Sequence, residues 1–474
     1  MSELFTWSAT EVLAAFRQHA LTPTEYLESL LARLEEVGPS LNAVGDVYVD
    51  DARRAAASAT QRYAGSGAAP RALEGLPVVV KDESEVAGRR TTNGSLLYQD
   101  YVAHENDPIV ERLLAAGAIV LGRGLTPEFS IAFWTHSRLW GATRNPWNLD
   151  YDVSGSSGGS AASVAAGIVP LATGSDIGGS IRAPASVNGV VGYFPPSGRI
   201  PVAGVWGRDE WSRVGPLART VADCALFVDV VAGPHVRDHM SLPPLPPIGT
   251  PDPDVRGTRV ALSLDLGDWP VTEEVRRAVV DVADALGSAG ASVETVDLTI
   301  ERDLVRKASN CHNASLFAGS LTLEVTGHED QLTPYTRAWL AEVNGELSAT
   351  SFYEGRVADA EICRRVDDCL STYDVLLTPA MCFPAFEAGV DHTQVPFVLD
   401  GVERDVWHDL HLTEVFNPVS RCPVVCVPAG RSQSGVPIGV QVVGRHLDER
   451  TPFAVAAAIE QHRPWPTVAP VTDG

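Results

Sequence analysis

The sequence predicts an α/β fold built on a central mixed, largely parallel β-sheet covered by helices on both faces. Three observations point there. Residues 76–80 (LPVVV) form a continuous apolar run, the pattern of a strand buried on both faces. A helix opened by Asp107-Pro108 and stopped at Gly117 leads into a second apolar strand at 118–121, and that strand–helix–strand order argues for parallel pairing. The alternation resumes late in the chain, with a strand from Val260 and a helix capped by Thr272 that turns Val275, Val279, Ala283 and Leu286 inward.

The remaining elements follow in order. Ser8 and Glu11 can form a capping box, and Thr22, Pro23 and Glu25 repeat the device with proline at the first helical position. Leu27, Leu30, Leu31 and Leu34 mark the apolar face of that second helix, predicted to end near Gly38. Residues 240–258 (MSLPPLPPIGTPDPDVRGT) are proline-rich, either a domain linker or a long surface connection. Near the C-terminus, residues 424–427 and 439–443 flank the turn SQSGVP and read as a hairpin.

Bulk properties narrow the function. The 474 residues, 45% hydrophobic, suffice for a large core, and the length allows up to three domains. A net charge of −24 repels phosphate backbones and anionic lipid, so neither nucleic acid nor a membrane is an expected partner. Seven cysteines, an odd number between Cys224 and Cys426, do not read as a disulfide framework. The start MSELFTWSATEV has no basic segment followed by an apolar one, and no apolar run is long enough to cross a bilayer. The expectation is a soluble, cytoplasmic protein.

The chemistry concentrates in residues 153–182, VSGSSGGSAASVAAGIVPLATGSDIGGSIR. A flexible linker is one reading of so much glycine and serine. Against it stand a helix-compatible run at 161–166, an apolar run at 168–171, and the charges Asp176 and Arg182 that bracket the second serine cluster. Neither a P-loop nor a dinucleotide fingerprint is present. Gly155 to Gly159 (GSSGG) matches the G-x-S-x-G elbow, which would make Ser157 a nucleophile, but a turn-rich stretch precedes it where the elbow needs a strand. A lysine is the alternative base. Lys81 ends the buried strand, and an ammonium removed from water loses its proton more readily. A neutral amine could take a proton from one serine, which takes one from a second; two serine clusters fit that need.

These residues resemble the amidase signature family. GSSGGSAASVAAG, GSDIGGSIRAPASVNGVVG and the upstream GLPVVVKD carry the likeness, and GATRNPWN, GPLARTVADCALFVDVVAG, YDVLLTPA and VPIGVQVVGR extend it in the family's order over essentially the whole chain. The resemblance implies a single domain over 1–474: N-terminal helices (1–70), a signature core (71–239), the proline-rich connection (240–258) and a C-terminal part of the same domain (259–474). It implies an amidohydrolase in which Ser180 is acylated, Ser156, beside an unusual cis peptide, relays a proton, and Lys81 is the base. The amides of Ile177, Gly178, Gly179 and Ser180 would surround the oxyanion, where glycines permit close approach. It implies no metal and no cofactor, and members of the family are often homodimers, for which the sequence offers no surface signal. Asp176 and Arg182 read as a structural brace, Ser157 and Ser160 as loop support or a cap for a helix beginning near Ser160, and Asp82 as the obvious ionic neighbour of Lys81. Two departures, Val187-Asn188 and Phe194-Pro195, stand where the family usually has an aromatic–cysteine pair and a lysine–proline–threonine run.

Substrate contacts are expected from four variable segments, 125–140, 203–212, a helical stretch around 306–340, and 380–412. Phe129, Phe133, Trp134, Trp206 and Trp211 make the first two aromatic, which suits a bulky apolar or aryl amide, anilide or carbamate (urethane). Two other readings compete. One is the glutamine-hydrolysing subunit of a tRNA-dependent amidotransferase, whose usual serine-rich stretch is RDEWSRVGP here at 208–216. The other is a non-catalytic binding protein on an amidase scaffold, which would have no use for a complete Lys81, Ser156 and Ser180 set.

Overall fold

Five buried residues, Pro77–Lys81, carry Lys81 at their end, and a single sheet extends on both sides of them. The computed structural model describes residues 3–345 and 348–471. Its main sheet has eleven strands: β1 (Val44–Val47), β2 (Pro77–Lys81), β3 (Ile119–Gly124), β4 (Leu171–Asp176), β5 (Val191–Phe194), β6 (Arg213–Ala218), β7 (Arg259–Leu262), β8 (Ser292–Thr295), β9 (Val375–Pro379), β10 (Val424–Arg431) and β11 (Pro437–Gly444). Their spatial order is β1-β3-β2-β4-β6-β5-β10-β11-β9-β7-β8.

The sheet is α/β and mixed as expected, with a smaller parallel share than the sequence led us to expect. Pairing is parallel for β2 with β3 and β4 and for β7 with β8 and β9. The other described neighbours are antiparallel. Parallel pairing includes the two places where the chain supplies a single helical crossover between neighbouring strands. A parallel step needs a crossover, and helices α4 (Pro108–Ala115) and α8 (Glu273–Ser288) supply it at the two flanks. The centre contains the β10–β11 hairpin, predicted from its turn, and also pairs strands far apart in sequence, such as β5 with β10. The proline-rich segment has no helix or strand, and β5 before it pairs with β10 after it, Tyr193 opposite Val425.

Helices α1 (Ala9–Arg17) and α2 (Pro23–Leu41) begin with the two expected capping boxes. The second runs past Gly38, the expected end, to Leu41, because Asn42 accepts the left-handed conformation (φ 48°) that closes the last turn. Thr272 occupies the N-cap position of α8, and the four predicted inward residues are buried. Among the described residues, no helix is long and apolar enough to cross a membrane.

The glycine–serine stretch is folded. Every residue from 153 to 174 is buried, and α5 (Gly158–Ala165) packs its small side chains against β2, β3 and β4. A Cβ at Gly159 would overlap the backbone of Leu125, so glycine sets the approach distance there. At the end of β4, Asp176 and Arg182 form a two-pronged ion pair at 2.8 and 2.9 Å with neither side chain exposed. Arg182 opens helix α6 (Arg182–Asn188), also binds the Thr413 carbonyl, Gln441 and Asn417, and lies over the Phe194 ring. Burial alone would raise the Asp176 carboxyl, but Arg182 outweighs it and holds the group below the ordinary value. Arg182→Met strands that carboxylate, at an expected cost of about 3–5 kcal/mol, whereas the double change with Asp176→Leu should be milder. Urea unfolding followed by circular dichroism compares the two.

Candidate active site

Strand β2 runs parallel to β4, which sets Lys81 beside the end of its neighbour. The Lys81 side chain is fully buried. Its Nζ donates to Ser156 Oγ at 2.7 Å and Ser175 Oγ at 2.8 Å, and lies 3.0 Å from Glu83 Oε2. Three partners satisfy an ammonium. They also suit a neutral amine, whose lone pair can accept from Ser156 while two N–H groups remain for the others. Burial pushes Lys81 below the usual lysine value, while the nearby Glu83 and Asp176 charges pull the other way. For Glu83, burial would raise the carboxyl, but Lys81, Ser130 and Ser175 outweigh it and hold it low.

Asp82, the neighbour the sequence offered for Lys81, turns elsewhere. It pairs with Arg123 at 3.3 Å and accepts from Thr92, so Glu83 takes the expected place. The chain turns directly after the strand, with the Ser84 amide donating to the Lys81 carbonyl at 3.1 Å, and Glu83 lies on the side of the turn that faces the amine.

Ser156 follows a cis peptide bond from Gly155. The Ser157 amide donates to the Ser180 carbonyl at 3.1 Å, tying the two serine clusters together. Ser157 Oγ is committed to the Ser175 backbone at 3.2 Å, the loop support expected of it. The helix begins at Gly158, ahead of Ser160, whose hydroxyl faces Gly124.

In the 177–180 loop the four expected amides divide. Gly179 donates to Asp176 Oδ1 at 2.8 Å, so its N–H already has an acceptor. Among the described residues, none accepts from the amides of Ile177, Gly178 or Ser180. Gly179 has φ +132°, and a Cβ there would overlap Thr413, whose hydroxyl donates to the Gly178 carbonyl at 2.9 Å. The loop is thus fixed from both sides.

Ser156 (1% exposed) and Ser180 (6%) line one cavity of about 410 Å³, together with Glu83, Ser175 and Ile177. Of the five predicted aromatic contacts, Phe129 and Trp206 line it. The other three do not. Trp134 stacks on Trp407 with its edge toward Tyr335 and Phe386, and Trp211 stacks on His312. Phe133 stacks on His411 behind Gly178, where it supports the loop. A large ring gains most from full burial, which is the physical reason these three are packing residues. Phe129 and Ser130 both adopt left-handed backbone (φ 53° and 59°), held by a 2.7 Å bond from the Phe129 amide to the Asn93 carbonyl. Such strain is of order 1–3 kcal/mol per residue and gathers at functional sites.

The stretch 306–340 contributes Phe317, Ser320, Leu321 and Glu324, while 380–412 contributes nothing to this lining. Sequence reasoning missed Glu85, Asn93, Tyr98 and Tyr101, which follow β2 and form one wall.

The family model described as Amidase matches residues 25–452. Acylamidase of Rhodococcus erythropolis is 33% identical over 466 residues, covering 97% of this chain and 96% of that protein. A glutamyl-tRNA(Gln) amidotransferase subunit from Geobacter metallireducens is 31% identical over 98% of this chain and 99% of that protein. Among solved structures, a bacterial aryl acylamidase of the amidase signature family superposes with a TM-score of 0.90 at 28% identity, with 97% of each chain covered. With this fold and these matches across nearly its whole length, the chain belongs to the amidase signature family and is an amidase, a hydrolase of amide carbon–nitrogen bonds.

Proposed function

We propose that the chain hydrolyses a small-molecule amide through an acyl-enzyme on Ser180, with Ser156 as proton relay and Lys81 as base. The observation that carries this reading is the 2.7 Å contact of buried Lys81 Nζ with Ser156, on the floor of a cavity that Ser180 shares. Ser180 Oγ attacks the carbonyl as its proton passes to Ser156, whose own proton passes to the Lys81 amine. The amides of Ile177, Gly178 and Ser180 receive the developing negative charge; one such donor is typically worth about 3 kcal/mol. Collapse breaks the C–N bond, and the proton held on Lys81 returns through Ser156 to the leaving amine. Water repeats the sequence on the ester, releasing acid and Ser180. The proton relay and amide donors supply this chemistry without a cofactor.

The substrate class we favour is a bulky, largely apolar or aryl amide, anilide or carbamate. Phe129, Trp206 and Phe317 in the lining support it, as does the acylamidase relative. Glutamine hydrolysis for a tRNA-dependent amidotransferase is the second reading, favoured by the 31% identical amidotransferase relative, with the aromatic walls weighing against it. We take the chain to work as one domain, because β5 and β10, from either side of the proline-rich segment, are hydrogen-bonded neighbours.

Ser180→Ala should lower amide turnover by about three orders of magnitude or more while the melting temperature stays nearly constant. A fluorophosphonate adduct located by mass spectrometry should fall on residue 180; an adduct elsewhere would overturn the assignment. Ser156→Ala should lose more activity on amides than on esters, whose leaving group needs less protonation, as paired kcat/KM values will read. Because the neutral amine is the active form and burial lowers its value, the rate should rise with pH before the ordinary lysine range. Glu83→Gln removes a charge that favours the ammonium, so the rising limb of the pH–rate profile should move to lower pH.

A further inference from the structure

We infer that the cavity selects amides whose apolar body ends in a cationic group, received at the cavity mouth by Glu85 and Glu324. This rests on the amide-hydrolase reading above and names a substrate class within it. The lining holds three carboxylates, Glu83, Glu85 and Glu324, and no lysine, arginine or histidine among its described residues. Their depths differ. Glu83 lies at the floor with Lys81, Ser156 and Ser180, whereas Glu324 and Tyr101 are exposed and mark the mouth.

Each outer carboxylate is oriented by a phenol. Tyr101 donates to Glu85 Oε1 at 2.7 Å and Tyr98 to Glu324 Oε2 at 2.5 Å. The second oxygen of each accepts from no other described side chain, and neither group has an ionic partner among the described residues. The rings beside them form two walls. Tyr98 meets Tyr101 and Phe129 edge-on at centroid distances of 5.9 and 6.1 Å, and Trp206 meets Phe317 at 5.2 Å across the lining. Aromatic rings accept an apolar body and also attract a cation through their faces. The carboxylates break that tie: they attract a cation, tolerate a neutral group and repel an anion.

Mechanism and charge agree. When Lys81 is neutral, as the relay requires, the Glu83 charge has no opposing charge in the lining. A bound cation then replaces part of that opposition and disfavours the protonated form of Lys81. The net charge of −24 adds long-range attraction for a cationic substrate.

Two matched anilide series test this. One places an aminomethyl, methyl or carboxylate group at the para position of the benzoyl part; the other places the same groups on the aniline. In at least one series kcat/KM should fall about tenfold from cation to neutral and again from neutral to anion, with the gaps narrowing in 0.5 M salt, by an order-of-magnitude expectation for steering. The series showing the ranking tells which product carries the cation. Glu85→Gln combined with Glu324→Gln should bring the cation-to-neutral ratio close to unity. Equal rates within both series, a faster anion, or a ratio indifferent to the double change would overturn the inference and leave amide hydrolysis standing. Calorimetric binding of the same compounds to the Ser180→Ala protein reads the preference without turnover. A cation-first ranking there supports the inference even if the unaltered protein hydrolyses none of them, a result that would instead overturn the acyl-enzyme reading; equal binding overturns the inference.

Discussion

The candidate site is organised around one buried amine and the carboxylate in direct contact with it. Taking an ammonium out of water costs several kcal/mol even after a protein relaxes around it. Burial therefore drives Lys81 toward the neutral form, and every tenfold change in its protonation equilibrium corresponds to about 1.4 kcal/mol. Glu83 at 3.0 Å opposes that drive. Without that carboxylate the amine would lose its proton still more readily. A second carboxylate facing it would favour the ammonium. The chain divides its two adjacent acids accordingly: Asp82 is spent on Arg123 and Thr92, and Glu83 alone reaches the amine.

The serine end is governed by hydrogen-bond accounting. Asp176 collects the amides of Gly179, Ile181 and Arg182 on its two oxygens, while Arg182 neutralises its charge. That arrangement fixes the turn and leaves the amides of Ile177, Gly178 and Ser180 without acceptors among the described residues. These donors lie beside Ser180, where the proposed mechanism places a carbonyl oxygen that gains negative charge. The brace and the uncommitted donors are two aspects of one loop.

Legibility in the sequence followed the range of the forces involved. Capping boxes, the strand at 76–80, the α8 face and the β10–β11 hairpin depend on neighbours a few residues apart, and they could be read directly. Lys81, Ser156 and Ser180 could be named because their motifs occur together in one order. What depended on tertiary contacts could not be read. Nothing local says that Trp211 stacks on His312 instead of facing the cavity, or that Gly179 gives its amide to Asp176. The central antiparallel pairings escaped for the same reason, since they join strands far apart in sequence, such as β5 and β10 with Tyr193 opposite Val425.

The separation of chemistry from selection has a structural origin. Lys81, Ser156 and Ser180 sit on β2 and at the starts of α5 and α6, elements whose small residues leave little room for change. The walls come from other places: 83–101, Phe129, the turn around Trp206, and the segment carrying Phe317. Phe317 lies within a π-helical turn, Ala314–Ala318, a local widening that recurs at functional sites and here puts its ring against Trp206. A substitution in those segments can alter shape or charge without moving the relay. Family membership consequently fixes the class of bond that is cleaved, while the selectivity proposed above rests on Glu85, Tyr98 and Glu324, which lie outside the motifs that identify the family.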